Sequence, residues 1–364
     1  MKYDFIDLPV LVPLAAPASA LLDPQALGPM AENAVRDLLR EGESENTLRS
    51  YRSALRYWAA WYLLRYGRPV VLPLADAVVL QFIVDHAERT ATDGSLRSEL
   101  PVVVDQALVT AGFKAALGAP ALNTLVHRVS VMSKVHQLKE MDNPCQYPRV
   151  RELLAKTRRA YAKRGALPAK KPALTREPLE ALLATCDDSL VGQRDRALLL
   201  FAWASGGRRR SEVTAATVES LHRISGGYVY DLARSKTNQS GDDRAENHKP
   251  VTGRAAKALD GWLMASRIVS GPLFRRVRRG DVIGEPLLPP AVRDIVKKRS
   301  MLAGIDPQYS AHSLRSGFVT EAGRQKVPLG EMMAMTGHRS TASVVGYFRQ
   351  NAEHTRAASL LDDE

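Results

Sequence analysis

The sequence predicts a mainly helical fold in two parts, the second carrying a small β element. Three observations carry that expectation. Aromatics make up only 6% of the 364 residues while Leu, Ala and Arg are abundant, which suits helices better than many short strands. Leu48, Tyr51, Leu55, Trp58 and Tyr62 recur at steps of 3, 4, 3 and 4, the apolar stripe of an amphipathic helix. At 164–173 the string RGALPAKKPA breaks the periodicity with prolines, dividing a chain long enough to bury two cores.

In chain order, residues 1–29 are rich in Pro and Ala and predict an extended arm, either without fixed structure or docked on a neighbouring protomer. The apolar stretch Leu8–Leu22 is cut by Pro9, Pro13 and Pro17, follows Asp4 and Asp7, and lacks a basic leading region. It reads as neither signal peptide nor membrane span. Ser44 can cap the helix that carries the apolar stripe, and Arg49, Arg52 and Arg56 fall on another of its faces. Further helices are expected near Ala75–Arg89, Asn123–Lys139 and Pro148–Lys163, with more helical sequence between residues 90 and 120. The linker carries Arg164, Lys170 and Lys171. Beyond it, helices are expected at Leu179–Cys186, Arg194–Ser205, Arg254–Met264 and Leu288–Leu302, the last bearing Lys297, Lys298 and Arg299 as candidate phosphate contacts. Tyr228–Leu232 is strand-like, TNQSGDD has turn chemistry, and His248–Val251 can return as the partner strand.

The formal charge is +12, which favours a polyanionic partner. Cys145 and Cys186 lack metal-ligand spacing and imply a reducing compartment without a disulfide framework.

Chemistry concentrates between Tyr309 and Gln350. His312 and Arg315 lie three residues apart and share a helix face. His338 follows Gly337 at a turn, and Tyr347 comes nine residues later on an expected short helix, Thr341–Phe348. Arginine offers a planar fork for two phosphate oxygens. Histidine donates a hydrogen bond or moves a proton near neutral pH. A phenol is a covalent nucleophile once its proton is removed.

The ordered strings HSLRSGF, MTGH and VVGYF resemble the carboxy-terminal signature of tyrosine site-specific recombinases, the phage-integrase family. SYRSALRYWAAWYLLRYG, VVLPLADAVVLQFI and SLLDDE are similar to its Cre-like branch, from which residues 90–120 depart as a helical insertion, read as a protein contact. The resemblance implies a helical core-type DNA-binding domain at 30–163, a linker at 164–173 and a mixed α+β catalytic domain with a small β-hairpin at 174–350, together forming a clamp around DNA. The arm would precede them, and a tail at 351–364 would contact a neighbouring protomer.

On this resemblance, Tyr347 attacks a DNA phosphodiester to give a 3′-phosphotyrosyl link. Arg209 and Arg315 hold the non-bridging oxygens and His338 adds a hydrogen bond. His312 serves as general base, Lys236 as general acid, and Glu212 orients the cations. Arg209 and Glu212 fit the Arg-x-x-Glu register of the family, with Arg208 and Arg210 as alternatives one residue away. No metal, ATP or other cofactor is implied. Expected partners are double-stranded DNA, met by Arg49, Arg52, Arg56, Lys170 and Lys171, further copies of the chain as dimer and tetramer, and accessory DNA-bending or directionality proteins, with no membrane. A cytoplasmic, nucleoid-associated protein follows. The rival readings are a type IB topoisomerase and a non-catalytic DNA-binding protein of the same fold.

Overall fold

The computed structural model describes residues 29–166, 171–232, 247–305 and 308–348. It divides into two compact units, Met1–Pro168 and Ala169–Glu364. The arm, residues 167–170 with Lys170, the expected turn with Lys236, and the tail all fall outside the described residues.

The first unit is helical. It comprises α1 (Pro29–Gly42), α2 (Glu45–Tyr66), α3 (Asp76–His86), a two-residue ladder of β1 (Arg89–Thr90) and β2 (Leu96–Arg97), then α4 (Val102–Thr110), α5 (Leu122–Leu138) and α6 (Pro148–Lys163). Ser44 caps α2, its hydroxyl accepting from the Thr47 amide at 3.2 Å, and Gly67 ends the helix in the left-handed region. Trp58 stacks on Phe82 of α3 at 3.6 Å between ring centroids, and Trp61 meets the same ring edge-on at 4.9 Å. The buried residues of α2 are Ala54, Tyr57, Trp58, Trp61 and Tyr62, whereas Leu48 is exposed. The expected stripe is therefore core at Trp58 and Tyr62, half-buried at Tyr51 and Leu55, and open at Leu48.

Residues 90–120, expected to be helical, are helical only in part. They hold a tight antiparallel turn and one short helix, and α4 buries Val104 and Leu108 in the core of the unit. Asp105 pairs with Lys114 there and accepts from the Gly118 amide at 2.7 Å, which fixes the loop after α4.

His86 is fully buried. Its Nδ1–H donates to Phe82 O at 2.6 Å, so Nε2 accepts from the Tyr57 hydroxyl at 2.7 Å. Burial pushes its pKa down to about 3. The unfolded imidazole takes a proton below about 6.5 and the folded one does not, so this unit loses stability as pH falls through that window. Urea titrations at pH 7 and pH 5 are expected to differ by about 2 kcal/mol from this residue, and His86→Gln should remove the difference.

The second unit is mixed. It opens with α7 (Arg176–Ala184), α8 (Leu190–Ala204) and α9 (Arg210–Ala215). A three-stranded antiparallel sheet follows, ordered β3 (Leu221–Ile224), β4 (Gly227–Asp231), β5 (His248–Thr252), with Tyr230 opposite Lys249 and Tyr228 opposite Val251. Then come α10 (Gly253–Ser266), the ladder β6 (Arg275–Arg278) and β7 (Val282–Pro286), α11 (Pro289–Leu302), α12 (Ala311–Arg324), α13 (Leu329–Thr336) and α14 (Thr341–Phe348).

The run RALLLFA makes α8 apolar nearly all round, and it forms the axis of the core with Leu259, Trp262 and Phe274 around it. The entering chain crosses α12 closely. Leu174 N donates to Ser313 O at 2.9 Å, and a Cβ at Gly317 would lie 1.9 Å from Leu174 O, so only glycine fits that point of α12.

Arg299 is a correction to the sequence expectation. It is 4% exposed, and its guanidinium binds Asp195 Oδ2 at 2.7 and 2.8 Å and donates to Thr185 O at 2.6 Å. It closes a buried network with Arg194 and is not available to a phosphate, while Lys297 and Lys298 are exposed. Cys145 and Cys186 are both buried free thiols. Among the described residues, no helix is long and apolar enough to cross a membrane.

Candidate active site

Three helix junctions of the second unit bring the charged residues together. The first is the turn between α8 and α9. Gly206 and Gly207 both adopt positive φ there, at 99° and 67°. A Cβ on Gly207 would lie 2.3 Å from Arg315 Cα, so the absent side chain lets the turn press directly onto α12. Gly207→Ala is expected to cost at least about 2 kcal/mol, from the left-handed backbone and the collision, and to move Arg315. A lowered Tm in thermal unfolding would check this.

Arg209 follows at the N-cap of α9. Glu212 accepts from the Arg209 amide at 3.1 Å and from its guanidinium at 2.6 Å, so one carboxylate fixes both the helix start and the side chain. Arg208 is 1% exposed, lies 3.6 Å from the same carboxylate and donates to Met335 O. Arg210 points to solvent.

The second junction is the start of α12. The Ser310 amide donates to Ser313 Oγ at 3.0 Å and fixes the first turn, which carries His312 and Arg315. Arg315 is 3% exposed and donates to Gly207 O at 3.3 Å; His312 lies at the open edge.

The third is the end of α13. Gly337 closes the helix at φ 69°, its amide donating to Met333 O at 2.8 Å, and His338 follows with Nδ1 2.7 Å from Thr336 Oγ1. Tyr347 lies on α14, and Val344 on the same helix is buried with Val319 of α12 and Met332 of α13.

The electrostatics tie these junctions into one site. Burial lowers the His338 pKa to about 4, reinforced by Arg315, Arg209, Arg208 and His312 in that order. Partial desolvation, then Arg315 and Arg209, holds His312 below the usual imidazole value. Two guanidiniums and two imidazoles thus act on one another, and both histidines are biased toward their neutral form. Such a set is suited to an anion with several oxygens.

The phage integrase family model matches residues 172–354, half of the chain. The chain belongs to that family. A curated relative, the integrase/recombinase xerD homolog of Selenomonas ruminantium, is 27% identical over 86% of this chain and 84% of its own length. The Tn1549 transposon integrase, solved in complex with transposon right-end DNA, matches with 14% identity and a TM-score of 0.51 over 90% of this chain and 96% of that one. A lambda integrase tetramer bound to a Holliday junction matches with 15% identity and a TM-score of 0.50 over 87% and 75%. At those identities the two structures speak for the fold, the shared tyrosine-recombinase-type architecture of this family.

In the first unit, Arg49, Arg52 and Arg56 are all exposed on α2. A groove of about 390 Å³ runs between α2 and α5, lined by Arg49, Ser50, Ser53, Thr124, His127 and Arg128. Lys171 is exposed. Sequence reasoning missed His127 and Arg128, which border this groove from α5 with no motif to mark them. It also missed the buried Lys249. There the signal existed, since Lys249 and Val251 share the inward phase of β5.

Proposed function

We propose that the chain is a site-specific DNA recombinase of the tyrosine type. The observation that carries this is the convergence of Arg209, Arg315, His312 and His338 on one site beside the helix bearing Tyr347. The Tyr347 oxygen attacks phosphorus as the bond to the 5′-oxygen breaks. A 3′-phosphotyrosyl link forms and a 5′-hydroxyl leaves. His312 takes the phenolic proton and Lys236 gives one to the leaving oxygen. Arg209 and Arg315 neutralise the charge that grows on the non-bridging oxygens, with Glu212 fixing Arg209. His338 adds a hydrogen bond to the same phosphate. The covalent link retains the bond energy, so a 5′-hydroxyl from another strand reverses the step without metal or ATP.

A base held neutral by its surroundings keeps its function into mild acid. The rate of adduct formation is expected to stay level through the neutral range and to fall on acidification only below the ordinary imidazole pKa of about 6.5. A pH–rate profile under single turnover checks this.

Duplex DNA is held through its phosphates by the α2 arginines, the α2–α5 groove, Lys170 and Lys171. Four protomers hold two duplexes, the tail and the 90–120 segment serve protein contacts, and accessory DNA-bending or directionality proteins set the outcome. The likeness of the amino-terminal strings supports the Cre-like branch, and integration, excision or resolution of a mobile element or plasmid in the nucleoid is the biological setting. DNA flanking the gene, cloned twice in one supercoiled plasmid, tests the activity. Deletion or inversion between the copies is expected. Relaxed circles without recombinants would assign a topoisomerase instead, and binding without either product a non-catalytic protein.

A further inference from the structure

We infer that Lys249 and Arg208 are positioning residues that act through His338, an inference that rests on the recombinase reading above. The last carbonyls of a helix have no partner within it and sit at the negative end of its dipole. In α13 these include Ala334 O and Met335 O, one turn before His338. Lys249 Nζ, from β5, donates to Ala334 O, and Arg208 Nη2, from the turn before α9, donates to Met335 O, each at 2.5 Å. Both cations are 1% exposed.

Burying a lysine or arginine is costly, and an apolar side chain would fill either place at less expense. The cations are therefore placed for what they hold. Arg208 also lies beside Glu212, which fixes Arg209, so the α13 terminus is registered against the turn that presents the first arginine. Lys249 registers the same terminus against the sheet. What they hold leads straight into the site. Thr336 Oγ1 donates to Met332 O at 2.8 Å in the same turn and lies 2.7 Å from His338 Nδ1. A shift of that turn moves the imidazole with it. A donor displaced by even 1 Å loses much of its effect on a transition state.

A double-mutant cycle tests this, using the full chain on nicked duplexes of flanking DNA under single turnover. Lys249→Met keeps an unbranched stem and removes the donor. It is expected to slow adduct formation at least tenfold, with DNA affinity changed less than threefold, and Lys249→Arg should recover most of the rate. In a His338→Ala background, the same Lys249→Met change is expected to cost less than threefold, because the residue it positions is gone. Arg208→Met, taken through the same cycle, gives the same pattern and stands in if Lys249→Met does not fold. Equal losses in both backgrounds, or a wild-type rate in Lys249→Met, would overturn the inference and leave the recombinase reading intact. No adduct from the wild-type chain on any of these duplexes would count against the recombinase reading itself.

Discussion

Arg315→Ala is expected to slow covalent attachment to DNA by about a thousandfold while weakening DNA binding less than tenfold. A guanidinium aimed at a phosphoryl group in a site that excludes water contributes more as charge grows in the transition state than in the bound ground state. Arg315 is placed for that. It is buried on the first turn of α12, its Nη1 donates to Gly207 O, and its charge acts on both His312 and His338. Arg315→Lys should recover little, because an ammonium replaces a planar fork with a single point of charge. Single-turnover rates and native-gel affinities, measured on the same nicked duplex, separate the two effects. A rate loss matched by an equal affinity loss would make Arg315 a binding residue only.

Tyr347→Phe is expected to abolish the adduct altogether, with DNA affinity within about twofold of wild type. The substitution removes one oxygen and leaves the shape of the ring, so a binding role predicts almost no change and a nucleophilic role predicts complete loss. A phenol near pKa 10 needs help to ionise, and on the proposed reading the two guanidiniums of the site supply it. Retention of the adduct in Tyr347→Phe would exclude Tyr347 as the nucleophile.

Much of the fold was legible because long amphipathic segments carry their own period. The expected helices at Asn123–Lys139, Pro148–Lys163, Arg194–Ser205 and Leu288–Leu302 match α5, α6, α8 and α11 with ends shifted by a few residues. The strand expected at Tyr228–Leu232 pairs with His248–Thr252, as the intervening turn chemistry implied. Short elements were not legible. β1 and β2 are two residues each, too short for any alternation to register, and β6 reads RRVR, a charged edge strand with half-exposed sides. Arg299 was misread because a charge run was taken as one surface. On a helix it shares a face with Val292, Ile295 and Val296, and that spacing, not its charge, decides its burial.

The site divides along the same line. Arg315, His312 and His338 lie in strings whose residue types announce their chemistry, and the structure brings them together with Arg209. The supports are mute in sequence. Nothing about Gly207 as a letter says that its missing side chain admits Arg315, and Arg208 looks like one of three equivalent arginines until the fold buries it against Met335 O. Lys249 is intermediate, a lysine in the inward phase of a strand, which is a local inconsistency of the kind that marks a functional constraint.

The most direct test of the central claim is to find the atom that carries the DNA. The adduct formed on a nicked duplex would be digested with nuclease and trypsin and the peptides sequenced by mass spectrometry. Cleavage after Arg339 and Arg349 releases STASVVGYFR, in which Tyr347 is the sole tyrosine. The account predicts a 3′-linked nucleotide remnant on that peptide, attached at Tyr347. A remnant on any other residue, including Ser340, Thr341 or Ser343 of the same peptide, would contradict it.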